Sequence, residues 1–321
     1  MNNKITMELF KKYEEDTTIQ NYIAQANSRF ILYNANEPIE NFPKYTRDLD
    51  EKCLHIAFSY LNLGWRFFAE EHKDRAIYCI EKAAEILEHL YAYNNCDKIY
   101  REFYVLSCAL AYYVSSQYSK SFIVLKYYTY DTQLAKILKL FLMRNFRDLE
   151  EPLKNIEFTE ATIVEEIESF VYTKILAKAI SHMVQYVISG NKDALMEAQK
   201  ILLDLIELSQ INGESHLWWI FRLLYLVFGE YEEASLWTVL PPIIGNQEKC
   251  SDYIRANIYK QPSVVELFKS QRECINKSLN DDSVVIGMPT SSGKTKIAEI
   301  SIIKTLIDYP DSLCIYIAPF R

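Results

Sequence analysis

The chain has 321 residues, is 50% hydrophobic and 24% charged, and carries a formal net charge of −8. That supplies apolar material for packed cores and room for two or three domains, while seven Gly and nine Pro are too few for a turn-rich, all-β protein. Residues 261–321 hold seven Lys/Arg against seven Asp/Glu, so the whole acidic excess belongs to residues 1–260; without a basic balance that part is poorly suited to neutralising phosphates, and a protein-binding or scaffolding role is expected of it.

The first residues, Met1-Asn2-Asn3-Lys4-Ile5, lead into a charged helix rather than a signal peptide. The most apolar window, Leu217 to Phe228, is 12 residues long and includes Arg222, too short to span a bilayer. Seven cysteines (53, 79, 96, 108, 250, 274 and 314) are scattered without a Cys-x-x-Cys pair, and with five His they form no zinc pattern. Buried thiols in a soluble, cytoplasmic protein with no membrane contact are expected.

Along the chain, residues 51–90 have helical periodicity. Tyr60, Leu63, Gly64, Phe67, Ala76, Ile80 and Ala83 fall at offsets that resemble a tetratricopeptide helix pair, small residues allowing close approach and large ones filling the groove. A weaker copy follows at Ala109, Tyr112, Tyr118, Ser121 and Leu125. Pro152, after Glu150-Glu151, is expected to start a break reaching Thr162. A third pair is expected over Ile175–Leu208, turning at Gly190-Asn191-Lys192, and a fourth turn at Gly229-Glu230-Tyr231-Glu232-Glu233-Ala234. The same spacings fit an irregular α-bundle, and the two architectures stay open at this point. Of 24 tyrosines, 22 precede residue 261; helix–helix seams with hydroxyls at the rim suit an acidic region better than a base-stacking platform. Leu236 to Pro242 ends a helix before a proline pair, and residues 243–265 form a connection.

The chemistry is concentrated near the end. Ser283-Val284-Val285-Ile286-Gly287 reads as a buried strand, Met288-Pro289-Thr290-Ser291-Ser292-Gly293-Lys294-Thr295 as a tight loop, and Lys296 to Ile303 as a helix. Strand, Gly-Lys-Thr loop and helix together make a nucleoside-triphosphate cradle. Backbone N–H groups at a helix start converge on phosphate with the positive end of the dipole behind them. Gly293 admits the main chain to the phosphates, Lys294 would reach the β- and γ-phosphates, and Thr295 would hold Mg²⁺ through its hydroxyl. Met288 stands where the general pattern asks for Gly, and Gly287 lies one place too early.

Met-Pro-Thr-Ser-Ser-Gly-Lys-Thr resembles motif I of superfamily-two helicases, most closely the DExH (Ski-like) branch, where small residues or Met occur at the first position. Leu267 to Ile275 resembles the segment whose glutamine reads adenine, and Gln271 lies 17 residues before Met288. Leu313 to Ile317 reads as a further buried strand, ending in Ala318-Pro319-Phe320-Arg321, which resembles motif Ia. The resemblance implies that Met288 to Thr295 and Gln271 bind ATP with Mg²⁺ at Thr295, that Lys294 and Thr295 serve catalysis, and that Pro319 and Arg321 touch a nucleic-acid backbone. The Leu-Trp, Leu-Pro-Pro and motif I sequence resembles bacterial helicases of anti-phage defence, the Hachiman type among them, which implies a nuclease partner.

The expected fold is mostly α: a helical accessory and interaction region over 1–240, a connector over 241–265, and over 266–321 the start of a RecA-like α/β domain. A DExH box and a second RecA-like domain are missing, so the chain is expected to be the N-terminal portion of a longer ATP-dependent helicase or translocase and not to hydrolyse ATP at motor rates alone. The alternative is a helical module that docks a partner protein, with an inactive motor fragment attached.

Overall fold

A computed structural model describes residues 2–92, 98–128, 130, 132–156, 164–261, 263–278, 283–287 and 293–317. The chain is mostly α, and among the described residues the only β-type pairing is an isolated antiparallel bridge, Ser235 to Glu266. It divides into two units, residues 1–177 with 201–227, and residues 178–200 with 228–321. Among the described residues no helix is long and apolar enough to cross a membrane.

The first unit opens with α1 (Asn2–Glu15) and α2 (Thr17–Asn34), separated by Asp16, whose carboxylate accepts from the amides of Thr18 and Ile19 at 2.8 and 3.2 Å. This is N-cap chemistry, satisfying donors that the helix itself cannot. Next come α3 (Leu49–Ala69) and α4 (Lys73–Ala92), packed as a pair. Every residue the repeat pattern singles out here, from Tyr60 to Ala83, is buried. Gly64 explains the closeness of the pair: a Cβ on it would lie 2.6 Å from Ile80 Cγ1 and 3.2 Å from the Ala76 carbonyl. α5 (Lys98–Val114) packs on α4, and α6 (Tyr118–Tyr127) on α5. Ala109, Tyr112, Ser121 and Leu125 are buried, and the Ser121 hydroxyl donates to the Ala109 carbonyl at 2.8 Å.

α7 (Gln133–Leu142) packs on α8 (Phe146–Lys154). Pro152 does not start the break. It sits inside α8, which runs on to Lys154; a proline two residues from a helix end disturbs only one turn. Residues 157–163, the rest of the expected break, lie outside the described residues. α9 (Val164–Ser189), α10 (Lys192–Ile211) and α11 (Ser215–Ala234) follow. The turn at Gly190 is present, with φ +72°, and the ring of Trp237 lies over the glycine where a Cβ would meet it at 2.7 Å. No turn exists at Gly229 to Ala234, which form the last turns of α11. Phe228, Tyr231 and Ala234 are buried there, and burying two aromatics, each worth about 2–3 kcal/mol, outweighs the cost of about 1 kcal/mol for a glycine in a helix.

Tyrosine behaves largely as a seam residue. The hydroxyls of Tyr60 and Tyr78 both donate to the Glu14 carboxylate, at 2.7 and 2.8 Å, tying α3 and α4 to α1. Tyr127 departs from this and is 78% exposed; Tyr93 lies outside the described residues. Cys53, Cys79, Cys108 and Cys250 are free and buried.

The second unit continues with α12 (Leu236–Val239) and α13 (Pro241–Ile244), which has proline at its first positions. A full helix follows, α14 (Gln247–Tyr259), capped by the Asn246 side chain on the Lys249 amide at 3.0 Å. Residues 265–267 run antiparallel to 234–236, with the Leu236 amide donating to Val265 and the Leu267 amide to Ala234. α15 (Lys269–Ser278) and α16 (Lys294–Asp308) pack together. The two expected buried strands do not form: residues 283–287 and 313–317 carry no strand pairing among the described residues and are largely exposed, Val285 being 99% accessible and Leu313 86%. A buried strand needs ladder partners and covering layers on both faces, and no described segment supplies them.

Candidate nucleotide site

The site is built where α15 meets the first turn of α16. Gly293 caps α16 with φ +80° and ψ +34°, the left-handed conformation that glycine adopts without a Cβ penalty. Lys294 and Thr295 then occupy the first turn and are exposed, beside the backbone donors that a helix start leaves without intrahelical partners. The opposite side of the same turn is anchored in the unit, for Ile297 and Ile300 are fully buried. Met288 to Ser292, the rest of the expected cradle, lie outside the described residues, as do Pro319 and Arg321.

Gln271 is brought to this loop. It is 5% exposed. Its Oε1 accepts from the Phe268 amide at 2.8 Å, and its Nε2 donates to the Gly293 carbonyl at 3.3 Å. The amide fills the space beside Gly293: a Cβ on residue 293 would come within 2.1 Å of Nε2. Glycine suits the position for its φ, and its missing side chain leaves room for the Gln271 amide. One N–H and one acceptor site of the Gln271 amide remain uncommitted by these two bonds.

The glutamine segment is itself fixed. Arg272 pairs with Glu230 of α11 at 2.9 Å and donates to the Leu267 carbonyl at 3.0 Å. Both partners of the pair are largely buried, with side chains 17% and 8% accessible.

A second polar group lies on the other side of the α16 turn, and sequence reasoning missed it. Lys296 Nζ donates to Asn257 Oδ1 at 2.7 Å and to Glu299 Oε2 at 2.8 Å. The Tyr253 hydroxyl donates to Glu299 Oε1 at 2.9 Å, and Asn257 Nδ2 donates to the Tyr253 carbonyl at 2.9 Å. Burial pushes the Glu299 carboxyl up, but the bonds from Lys296 and Tyr253 outweigh it and its pKa is lowered. Burial, then the bond to Glu299, pushes the Tyr253 phenol up. α14 had a legible signal in Cys250, Ile254 and Ile258 at intervals of four behind an Asn cap; its polar partners on α16 had none.

The described part of the site fits nucleotide phosphates: a left-handed glycine, two exposed polar side chains and the start of a 15-residue helix. For a divalent cation it offers the Thr295 hydroxyl, and among the described residues no cluster of three His, Cys, Asp or Glu adds to it.

Residues 268–321 match the DEAD/DEAH box helicase family. Over 315 residues, 97% of this chain, the sequence is 56% identical to the Hachiman protein HamB of Bacillus cereus. The chain spans 28% of that relative's length.

Proposed function

We propose, for a chain that carries a DEAD/DEAH box helicase segment and is similar to a Hachiman protein along nearly all of its length, that it is the N-terminal portion of an ATP-dependent nucleic-acid helicase or translocase acting in cytoplasmic anti-phage defence. Residues 1–240 form the accessory region, 241–265 the connector and 266–321 the start of the RecA-like domain. The observation that carries this reading is the exposed Lys294-Thr295 pair opening α16 behind the left-handed Gly293.

In this reading Met288 to Gly293 cradle the phosphates and Lys294 neutralises charge on the transferred phosphoryl group. Thr295 would hold Mg²⁺ through its hydroxyl, and the cation would supply positive charge to offset that of the phosphates. Gln271 offers its remaining N–H and acceptor site to adenine while bracing the loop at Gly293. Pro319 and Arg321 contact the nucleic-acid backbone. Lys294→Ala in the full protein is expected to abolish ATP hydrolysis, measured as phosphate release, without altering the melting temperature; wild-type turnover in that variant would overturn the assignment.

A second reading, in which the helical region docks a partner protein such as a nuclease, is favoured by one surface of the first unit. Arg222 lies over Trp218 at 3.7 Å and near Trp65 and Trp219 at 4.4 and 5.5 Å. Burial lowers its pKa to about 10, and its Nε is buried without an acceptor. Tryptophan and arginine dominate binding hot spots, and a lone guanidinium among indoles suits one carboxylate of a partner better than a run of phosphates. Arg222→Ala should weaken binding of a co-expressed nuclease partner at least about tenfold; unchanged affinity moves the partner site elsewhere.

A further inference from the structure

Lys296 stands two residues after Lys294, on the same first turn, yet does the opposite job. Its side chain is 13% accessible, where the residues just before it are exposed. A cation at a helix start is opposed by the helix dipole, so this ammonium needs strong partners, and it has them in Glu299 and Asn257 at hydrogen-bond distance. The Tyr253 ring adds a face 5.9 Å from Nζ. Asn257 is 4% exposed. Its amide orientation is set from both ends, the oxygen on the ammonium and the nitrogen on the Tyr253 carbonyl, while its own carbonyl accepts from the Val264 amide at 3.0 Å.

The geometry has a consequence for the nucleotide site. A helix can roll about its axis as well as shift along it. Ile297 and Ile300 bury an apolar stripe, but apolar contacts are non-directional and leave some freedom of roll. Directional bonds remove it. Lys296 and Glu299, three residues apart, are both tied to α14, Lys296 through Asn257 and Glu299 through Tyr253. With that face pinned, Lys294 and Thr295 are held on the outer face, toward the space the phosphates would take.

We propose that Tyr253, Asn257, Lys296 and Glu299 form a clamp by which the connector helix α14 sets the roll of α16, making all four positioning residues for the phosphate-binding turn. This rests on the nucleotide-site reading above.

The test uses the full protein and steady-state ATP hydrolysis. Lys296→Met keeps the stem and removes the charge; it is expected to raise KM for ATP about tenfold, equivalent to about 1.4 kcal/mol. Lys296→Arg keeps charge and donors and should restore most of the KM. Tyr253→Phe removes one oxygen, is the variant least able to disturb folding, and should raise KM about threefold, as loss of a single hydrogen bond would. A lowered melting temperature with unchanged KM in both Lys296→Met and Tyr253→Phe would make the cluster a packing feature and overturn the proposal. Lys294→Ala is measured in parallel: loss of turnover there with unchanged KM in the clamp variants sinks the clamp alone, whereas normal turnover there sinks the nucleotide site and the clamp together.

Discussion

Replacing Gly293 with Ala tests the junction of α15 and α16 directly. The new Cβ would lie 2.1 Å from Gln271 Nε2, so the glutamine must leave. It then gives up two bonds, from the Phe268 amide and to the Gly293 carbonyl. Each such bond contributes about 1 kcal/mol. The left-handed φ of +80° adds about 1–2 kcal/mol for a residue with a Cβ. The sum is about 3–4 kcal/mol, most of it lost through Gln271. Gln271→Ala alone should cost about 2 kcal/mol, because it removes the same bonds without the strain. In the double variant the alanine meets no glutamine, and the second substitution should add only the strain, about 1–2 kcal/mol. A double-mutant cycle read by urea unfolding should therefore show a coupling of about 2 kcal/mol. Additive single effects would refute the reasoning, since they would mean that Gln271 does not occupy the place beside Gly293.

Two further outcomes follow from other sites. Gly64→Ala and Gly229→Ala gain the same helix propensity, about 1 kcal/mol; Gly229 has nothing within 4 Å of its Cβ position and should be stabilised, whereas at Gly64 the contact with Ile80 at 2.6 Å should cost about 1–3 kcal/mol and cancel or reverse the gain in chemical denaturation. Burial, helped by the charges of Lys120 and Arg29, lowers the His89 pKa to about 4 from an ordinary 6.5. The unfolded chain therefore binds the proton first, and stability should fall as pH drops from 6.5 to about 4, by on the order of 2–3 kcal/mol for this group; His89→Gln should flatten that part of the pH profile, and an unchanged profile would contradict the burial.

Much of this was legible because it depends on local chemistry. The α3–α4 pair could be read from Gly64, Ala76 and their large neighbours, because close helix packing demands small residues at fixed offsets. The start of α16 at Gly293-Lys294-Thr295 could be read, because glycine suits the left-handed position that opens this helix. What escaped depended on the rest of the molecule. Gly229 looked like a turn because glycine in a helix is costly, and only burial of Phe228 and Tyr231 overrides that cost. Pro152 looked like a break because proline ends helices, yet near a C-terminus it interrupts little. The clamp partners Asn257 and Lys296 are 39 positions apart, and no pattern in either segment announces the other. The segments 283–287 and 313–317 were read as buried from composition alone, but burial belongs to the neighbours a segment has.

Those two segments carry a practical consequence. Val285, Leu313, Ile315 and Ile317 present large apolar side chains at 99%, 86%, 76% and 85% accessibility, in segments with no β-ladder among the described residues. An exposed apolar segment of this composition can pair as a strand with another such segment, and a second molecule of the same chain is the nearest one at hand. Handled by itself at high concentration, the polypeptide is therefore prone to self-association through its last described residues, so its solubility depends on how those segments are covered more than on its well-packed helices.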